Sequence, residues 1–336
     1  MKRLIPLILL ALTACSRNPS VVLDPGGPHA RVTAGLFWLF IAVNGVIWVM
    51  VLGVLGWSLF LNRVRETMAP IEPGALSERR LRLWVGIAIG ATVLVLSFFV
   101  GASFVTDKQL IDFDRDPQLA IEVTGHQWWW EARYAGPLPS DSFVTANEIH
   151  VPVHTKVKLV LRSNDVIHSV WLPNLAGKRD VIPGHAADLV IEADRPGVWQ
   201  GRCAEFCGLE HAYMNLVVVA EPRAQFDAWL VHQREPAVTP SAAEVARGQQ
   251  VFASGPCAMC HTIRTPDATG YSTNAPDLTH LMSRQTIGAG AAPNTTGYLA
   301  GWIIDPHGIK PGVHMPTIQQ NSADYQALLA YLGTLK

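Results

Sequence analysis

Charge is what this chain has least of. Only 16% of its 336 residues are Asp, Glu, Lys or Arg, against about 25% in ordinary soluble proteins. The formal net charge is -1, so no basic field is available to hold nucleic acid or another polyanion. Internal repeats are absent, which removes solenoid architectures. No alternation of strands and helices suggests a doubly wound fold. Cysteine occurs five times, and each occurrence stands in a recognisable chemical setting.

The missing charge is concentrated in the first 105 residues. Leu36–Leu61 and Leu83–Val105 carry no ionisable group at all, and each exceeds the roughly 18 apolar residues that mark a spanning helix. Two buried core helices would be shorter and would carry some charge, so the pattern predicts a transmembrane hairpin over 33–106. The connector holds Arg63, Arg65, Arg79, Arg80 and Arg82 against Glu66, Glu72 and Glu78. That excess predicts a cytoplasmic connector, with both outer ends of the hairpin outside. Ahead of the hairpin, Met1-Lys2-Arg3 precedes an apolar run from Leu4 to Leu12 and then Thr-Ala-Cys15. A basic start and a short apolar run describe an export signal. The ending resembles a bacterial lipoprotein signal, which predicts removal of residues 1–14, a lipid on Cys15 and a tether over 15–32. The competing reading is an uncut start with an incidental buried thiol.

After the hairpin the text turns to β. Short runs rich in β-branched and aromatic residues, separated by Pro-Gly and Asn-Asp punctuation, fill 118–219 and predict a Greek-key sandwich over 107–222. A short helix and a linker bracketed by Pro236 and Pro240 follow over 223–240. A separate domain over 241–336, with helical stretches near 242–253 and 323–334, closes the chain.

Two constellations carry the chemistry. Cys203, Cys207, His211 and Met214 form C-x3-C-x3-H-x2-M, and His168 lies on an earlier strand end. Two thiolates, two imidazoles and a thioether are a soft donor set that favours copper over magnesium or calcium, with enough donors for two coppers bridged by sulfur. A disulfide between the cysteines and core roles for His and Met are the alternatives. Cys257-Ala-Met-Cys260-His261 is the attachment pattern for c-type haem. Its cysteines fix the porphyrin edge and His261 is placed to bind iron. A thioredoxin-like dithiol is the rival, and the adjoining His argues against it. Downstream, Met315 before Pro316 presents a thioether for the distal position, with His314 and His307 as rivals. Neither cofactor suggests hydrolysis or group transfer; together they describe a carrier of single electrons.

The two-helix hairpin, GHQWWWEARY, DVIHS, RDVIPG and CAEFCGLEHAYM resemble, in that order, the CuA-bearing subunit II of cytochrome c oxidase over about residues 30–235. The region 241–336 resembles class I cytochrome c. The resemblance implies a multidomain membrane protein: a helix hairpin, an all-β cupredoxin-like sandwich and an all-α cytochrome c domain, as in caa-type oxidases. It implies that Cys203 and Cys207 bridge two coppers, that His168 and His211 bind one each, and that Met214 and the Glu205 carbonyl are weak ligands. The Glu205 carboxylate would share a magnesium ion with subunit I. Trp128, first of three consecutive tryptophans, matches the position proposed to accept electrons; core packing and membrane-interface anchoring are its alternatives. Leu81 stands where relatives often have a glutamate near a proton path, and Glu78 is the nearest carboxylate.

The implied activity is electron input to a proton-pumping haem–copper oxidase of the bacterial inner membrane, with copper and haem domains on the outer side. Subunit I, subunit III, an electron donor such as cytochrome c and membrane lipid are the implied partners. A copper-bearing subunit of a nitric oxide reductase would share the dicopper signature. A nitrous oxide reductase would add a second copper-cluster domain, and a copper-delivery module would not need a covalent haem.

Overall fold

The computed structural model describes residues 22–61, 75–138, 141–266 and 274–336. Cys15, the export signal and the connector residues Arg63, Arg65, Glu66 and Glu72 lie outside those residues. The chain divides into two compact units, Arg31–Arg115 and a second made of Met1–Ala30 with Asp116–Lys336.

The first unit is built from α1 (Pro28–Leu61) and α2 (Ala75–Phe113). Their most apolar windows have mean hydropathies of 2.3 and 2.4, and 0% of either window is buried. Such surfaces are stable only in an apolar solvent, since helices satisfy their own backbone in lipid but exposed apolar side chains cost free energy in water. Phe40 on α1 meets Phe99 on α2 edge-on, ring centroids 4.3 Å apart. Both helices outrun the span 33–106 expected from hydropathy. Proline at the start of α1 has its φ already set for a first helical turn. At the other end, the polar TDKQLIDF run contains no Gly or Pro to stop α2. Termination comes at Asp116, with φ 56°, immediately before Pro117.

The second unit begins with a strap. Gly26 N–H donates to the Asn174 carbonyl (2.7 Å), and the Gly26 carbonyl accepts from Asp194 N–H (2.8 Å). A Cβ on Gly26 would stand 2.4 Å from the Trp199 ring, and one on Gly27 would stand 2.0 Å from the Glu192 carbonyl oxygen. The stretch expected to be a tether is therefore seated on the sandwich from Asp24 onward.

Ten strands build the sandwich: β1 (Leu119–His126), β2 (Trp129–Tyr134), β3 (Phe143–Ala146), β4 (Glu148–Pro152), β5 (Val157–Ser163), β6 (His168–Trp171), β7 (Lys178–Val181), β8 (Ala187–Ile191), β9 (Gly197–Cys203) and β10 (Asn215–Glu221). One sheet runs β3-β2-β1-β5-β8 and the other β4-β10-β9-β6-β7. Most neighbours are antiparallel, while β1 with β5 and β4 with β10 are parallel. Alternation decides the faces: Ile121 and Val123 on β1, and Leu159 and Leu161 on β5, are fully buried between the sheets.

Helix α3 (Arg223–Arg234) leads to the closing domain, whose helices are α4 (Ala243–Ser254), α5 (Thr296–Ile304), α6 (Pro306–Ile309) and α7 (Ser322–Leu332). Phe252, Leu299, Leu328, Tyr331 and Leu332 form its core. Two short strands, Thr286–Ile287 and Ala292–Pro293, add a small hairpin to this otherwise helical domain. The segment after α3 is held rather than loose. Arg264 Nη2 donates to the Gln233 carbonyl (2.6 Å) and Nη1 to the Arg234 carbonyl (3.1 Å), and Ala237 N–H donates to the Arg264 carbonyl (2.8 Å).

Candidate metal and haem sites

Neighbouring strands create the first site. Val170 of β6 pairs with Cys203 of β9, which sets His168 at the start of β6 beside the loop 204–214. Cys203 Sγ and Cys207 Sγ lie 3.8 Å apart and both are free thiols; a disulfide would need about 2.05 Å. His168 Nδ1 lies 3.9 Å from Cys203 Sγ, and His211 Nδ1 lies 3.7 Å from Cys207 Sγ. Met214 Sδ is 3.8 Å from Cys207 Sγ, and the Glu205 carbonyl oxygen is 3.3 Å from Cys203 Sγ. Chain folding thus gathers every atom named as a copper donor.

The surroundings prepare these donors. His168 is fully buried, and its Nε2 lies 2.8 Å from Asp165 Oδ1. That contact holds the ring so that Nδ1 faces the sulfurs, the usual orientation device for a ligating imidazole. Burial opposes a charge on His168, yet its hydrogen bonds to Cys203 and Asp165 outweigh it and raise its pKa. The Cys203 thiol is pulled down, first by its hydrogen bond with Cys207 and then, against burial, by His168. Cys207 is pushed up by the same pairing. A soft metal would displace the remaining thiol protons on binding. This donor set fits copper. The Glu205 carboxylate is exposed and joins no cluster of His, Cys, Asp and Glu among the described residues.

The second site is a crevice of about 300 Å³ lined by Cys257, Cys260, His261, Arg284, His314 and Met315. His261 Nδ1 lies 2.7 Å from the Pro276 carbonyl, leaving Nε2 for an iron ligand. Burial lowers the His261 pKa, favouring the neutral ligand form. Arg284 Nε is shut off from solvent with no hydrogen-bond partner, a buried donor suited to a haem propionate. Cys257 is half-buried and Cys260 exposed, as suits sulfurs on a porphyrin edge. These features fit haem c. Met315 and His314 both line the crevice, whereas the exposed His307 does not.

The two sites share a wall. Gln127, Trp128, Trp129 and Asn147 of the sandwich complete the crevice. Trp128 is 5% exposed. Its Nε1 donates to the Cys207 carbonyl (3.0 Å), and its ring lies 4.7 Å from the His314 ring. Trp130 is wholly buried in the sandwich core, and Trp129 stacks on His126 at 4.3 Å, so this run packs within the second unit. Sequence reasoning did not single out Asp165, Gln127 (whose Nε2 donates 2.7 Å to the Cys207 carbonyl) or Lys310. Only Asp165 had a local signal, an acid three residues before the histidine.

Two family models and several known proteins are similar to this chain. The model of the periplasmic domain of cytochrome c oxidase subunit II matches residues 140–221, and that of cytochrome c matches residues 245–336. Cytochrome c oxidase subunit 2 of Alkalihalophilus pseudofirmus is 33% identical over 344 residues, covering 99% of this chain and 97% of the relative. The same subunit of Bacillus sp. strain PS3 is 32% identical, covering 68% of this chain and 66% of the relative. Among solved structures, the periplasmic domain of subunit II (CoxB) of Bradyrhizobium japonicum is 28% identical, with a TM-score of 0.33 over 35% of this chain and 95% of that one.

Proposed function

Because the chain belongs to the cytochrome c oxidase subunit II family and ends in a cytochrome c domain, we propose that it is the electron-input subunit of a proton-pumping haem–copper oxidase. Copper and a covalent haem c go with these two domains, as does a periplasmic location for the sandwich. The finer reading is that the copper centre is binuclear. Cys203, Cys207, His168 and His211 would hold the two ions, with Met214 and the Glu205 carbonyl as weaker donors. Cys257 and Cys260 would carry the porphyrin, and His261 and Met315 would ligate its iron. When bound, the two groups supply reversible one-electron chemistry, taking electrons from a reduced donor such as cytochrome c and handing them to subunit I, where oxygen becomes water.

The residues do the preparatory work. Asp165 holds the His168 tautomer. Burial of His168, Cys203, Cys207 and Met214 keeps water from the donors. The Glu205 carboxylate, exposed beside Phe206 (77%) and Leu209 (81%), faces subunit I and shares magnesium with it. Both helices span the bacterial inner membrane with the connector inside, Cys15 carries lipid after removal of 1–14, and subunit III completes the complex. Glu78 stands in an exposed ion pair with Arg82 (2.6 Å).

One observation carries this reading: Trp128 is hydrogen-bonded to the Cys207 carbonyl while also lining the crevice of the CxxCH motif. It is therefore the conduit between the centres. Flash reduction of the purified complex tests the route. Haem should be reduced first and copper second. Copper reduced before haem, at a rate unchanged by Trp128→Leu, would refute it. Replacing Cys203 or Cys207 by Ser should abolish the mixed-valence copper signal; two coppers retained with both replaced would sink the site.

A further inference from the structure

Lys310 is the least exposed lysine or arginine among the described residues, 2% exposed. No carboxylate lies within ion-pair distance of it among those residues. Instead its ammonium donates three hydrogen bonds to main-chain carbonyls: Trp128 O at 2.8 Å, Tyr213 O at 2.9 Å and Gly288 O at 3.1 Å. An ammonium has three donors and no acceptor, so every proton is used. An uncompensated buried charge costs several kcal/mol, and here carbonyl dipoles replace the lost water.

The partners give this arrangement its meaning. Trp128 and Tyr213 belong to the sandwich, one lining the crevice and the other preceding Met214. Gly288 belongs to the closing domain, and Lys310 itself begins the segment that runs to Met315. Its backbone is fixed on both sides, with Lys310 N–H on the Pro306 carbonyl (2.8 Å) and Val313 N–H on the Lys310 carbonyl (3.2 Å). Two backbone contacts reinforce the junction nearby: Asn215 N–H to the Ala289 carbonyl (3.1 Å) and Gln285 N–H to Glu148 Oε2 (3.0 Å). A lysine serving only the stability of the closing domain would bond within that domain. Two of these three bonds leave it.

We propose that Lys310 is the positioning residue for electron passage between the two centres, its ammonium pinning the segment that carries Met315 against Trp128 and the copper loop. This rests on the electron-transfer reading above. The inference makes the closing domain a fixed part of the copper domain's surface rather than a mobile donor on a string. Lys310 touches neither cofactor; it sets the gap between the groups that do. The probability of electron transfer falls steeply as such a gap widens, so the seating of this segment bears directly on the rate.

The test uses the intact, cofactor-loaded complex. Lys310→Met keeps the stem volume and removes all three donors; Lys310→Arg keeps the charge and part of the donor set. Haem absorption, the copper magnetic signature and the rate of haem reduction by a small photoreductant should be unchanged in both. The haem-to-copper step should slow measurably in Lys310→Met, with partial recovery in Lys310→Arg. An unchanged step in Lys310→Met with both centres intact overturns the role of Lys310 while leaving the route standing. Wild-type copper reduced without passing through haem overturns the route and this proposal with it. If Lys310→Met does not assemble, amide exchange of the wild-type complex decides. Asn215 and Gln285 amides protected like core strands support a pinned junction, and loop-like exchange there refutes it.

Discussion

His168 and Asp165 show how much a single contact decides. One carboxylate serves three donors: Oδ1 accepts from Val166 N–H (2.6 Å) and meets His168 Nε2 (2.8 Å), while Oδ2 accepts from Gln127 N–H (2.6 Å). Asn at 165 has one acceptor oxygen, so part of this set must fail. Outer-shell partners of ligating histidines contribute about 10–100-fold in metal affinity, and Asp165→Asn should weaken copper binding by that order in a chelator competition. Met214 is different. Its sulfur is fully buried beside Cys207, and an axial thioether tunes potential more than affinity. Met214→Leu should retain copper and shift its midpoint in a spectroelectrochemical titration. The ligands themselves were legible because four fall within twelve residues and chemistry demands their spacing. Asp165, Gln127 and Lys310 were not, because ordinary polar residues acquire roles only from partners distant in sequence.

At the scale of elements, β4 and α3 form a junction whose stability depends on pH. His150 is buried on β4 between Glu148 (3.0 Å) and Glu221 (3.3 Å) and stacked on Trp229 of α3 at 4.1 Å. Burial opposes its charge, but hydrogen bonds to the two glutamates outweigh it, and the folded pKa is raised. A raised folded pKa contributes stability that is full below the unfolded value of about 6.5 and is lost as pH rises through the folded value. The thermal stability of the wild type should therefore fall as pH rises through the folded value, and His150→Gln should flatten that part of the profile. Helix packing gives a second case. A Cβ on Gly248 of α4 would stand 1.9 Å from the Ala327 carbonyl oxygen on α7, so Gly248→Ala must push the helices apart. Overpacking of this kind costs about 1–3 kcal/mol, to be read from the thermal loss of the haem absorption band. Helix existence was legible here: α3 and the terminal helices fall within a few residues of where composition put them. The strap over Asp24–Gly27 was not, since two adjacent glycines advertise a turn as readily as a close approach.

For the whole molecule, the linker is the informative element. Sequence shows two domains joined by a proline-bracketed stretch, which reads as a tether conferring high effective concentration. The structure instead supplies a docked junction through Lys310, Gln285 and Asn215. The two pictures respond differently to length. Inserting about ten Gly/Ser residues near Thr239 should slow haem-to-copper transfer markedly if diffusion on a tether limits it. With a docked domain the insertion should change the flash-reduction rate little, because each doubling of a loop costs only about 0.6 kcal/mol of closure free energy. Architecture by layers was legible from where charge and β-branched residues fall. The face on which the domains meet was not, because its contacts join residues as far apart as Trp128 and Lys310.

The shared wall of the crevice also couples haem attachment to the docking of the domains. The space beside Cys257 and Cys260 takes part of its wall, Trp128 and Trp129, from the sandwich. Porphyrin held on those sulfurs would touch both domains and strengthen their junction. A chain bearing Cys257→Ala and Cys260→Ala should mature with that space unfilled and the junction unsealed, so limited proteolysis should cut it between α3 and α4 under conditions that leave the haem-loaded chain whole.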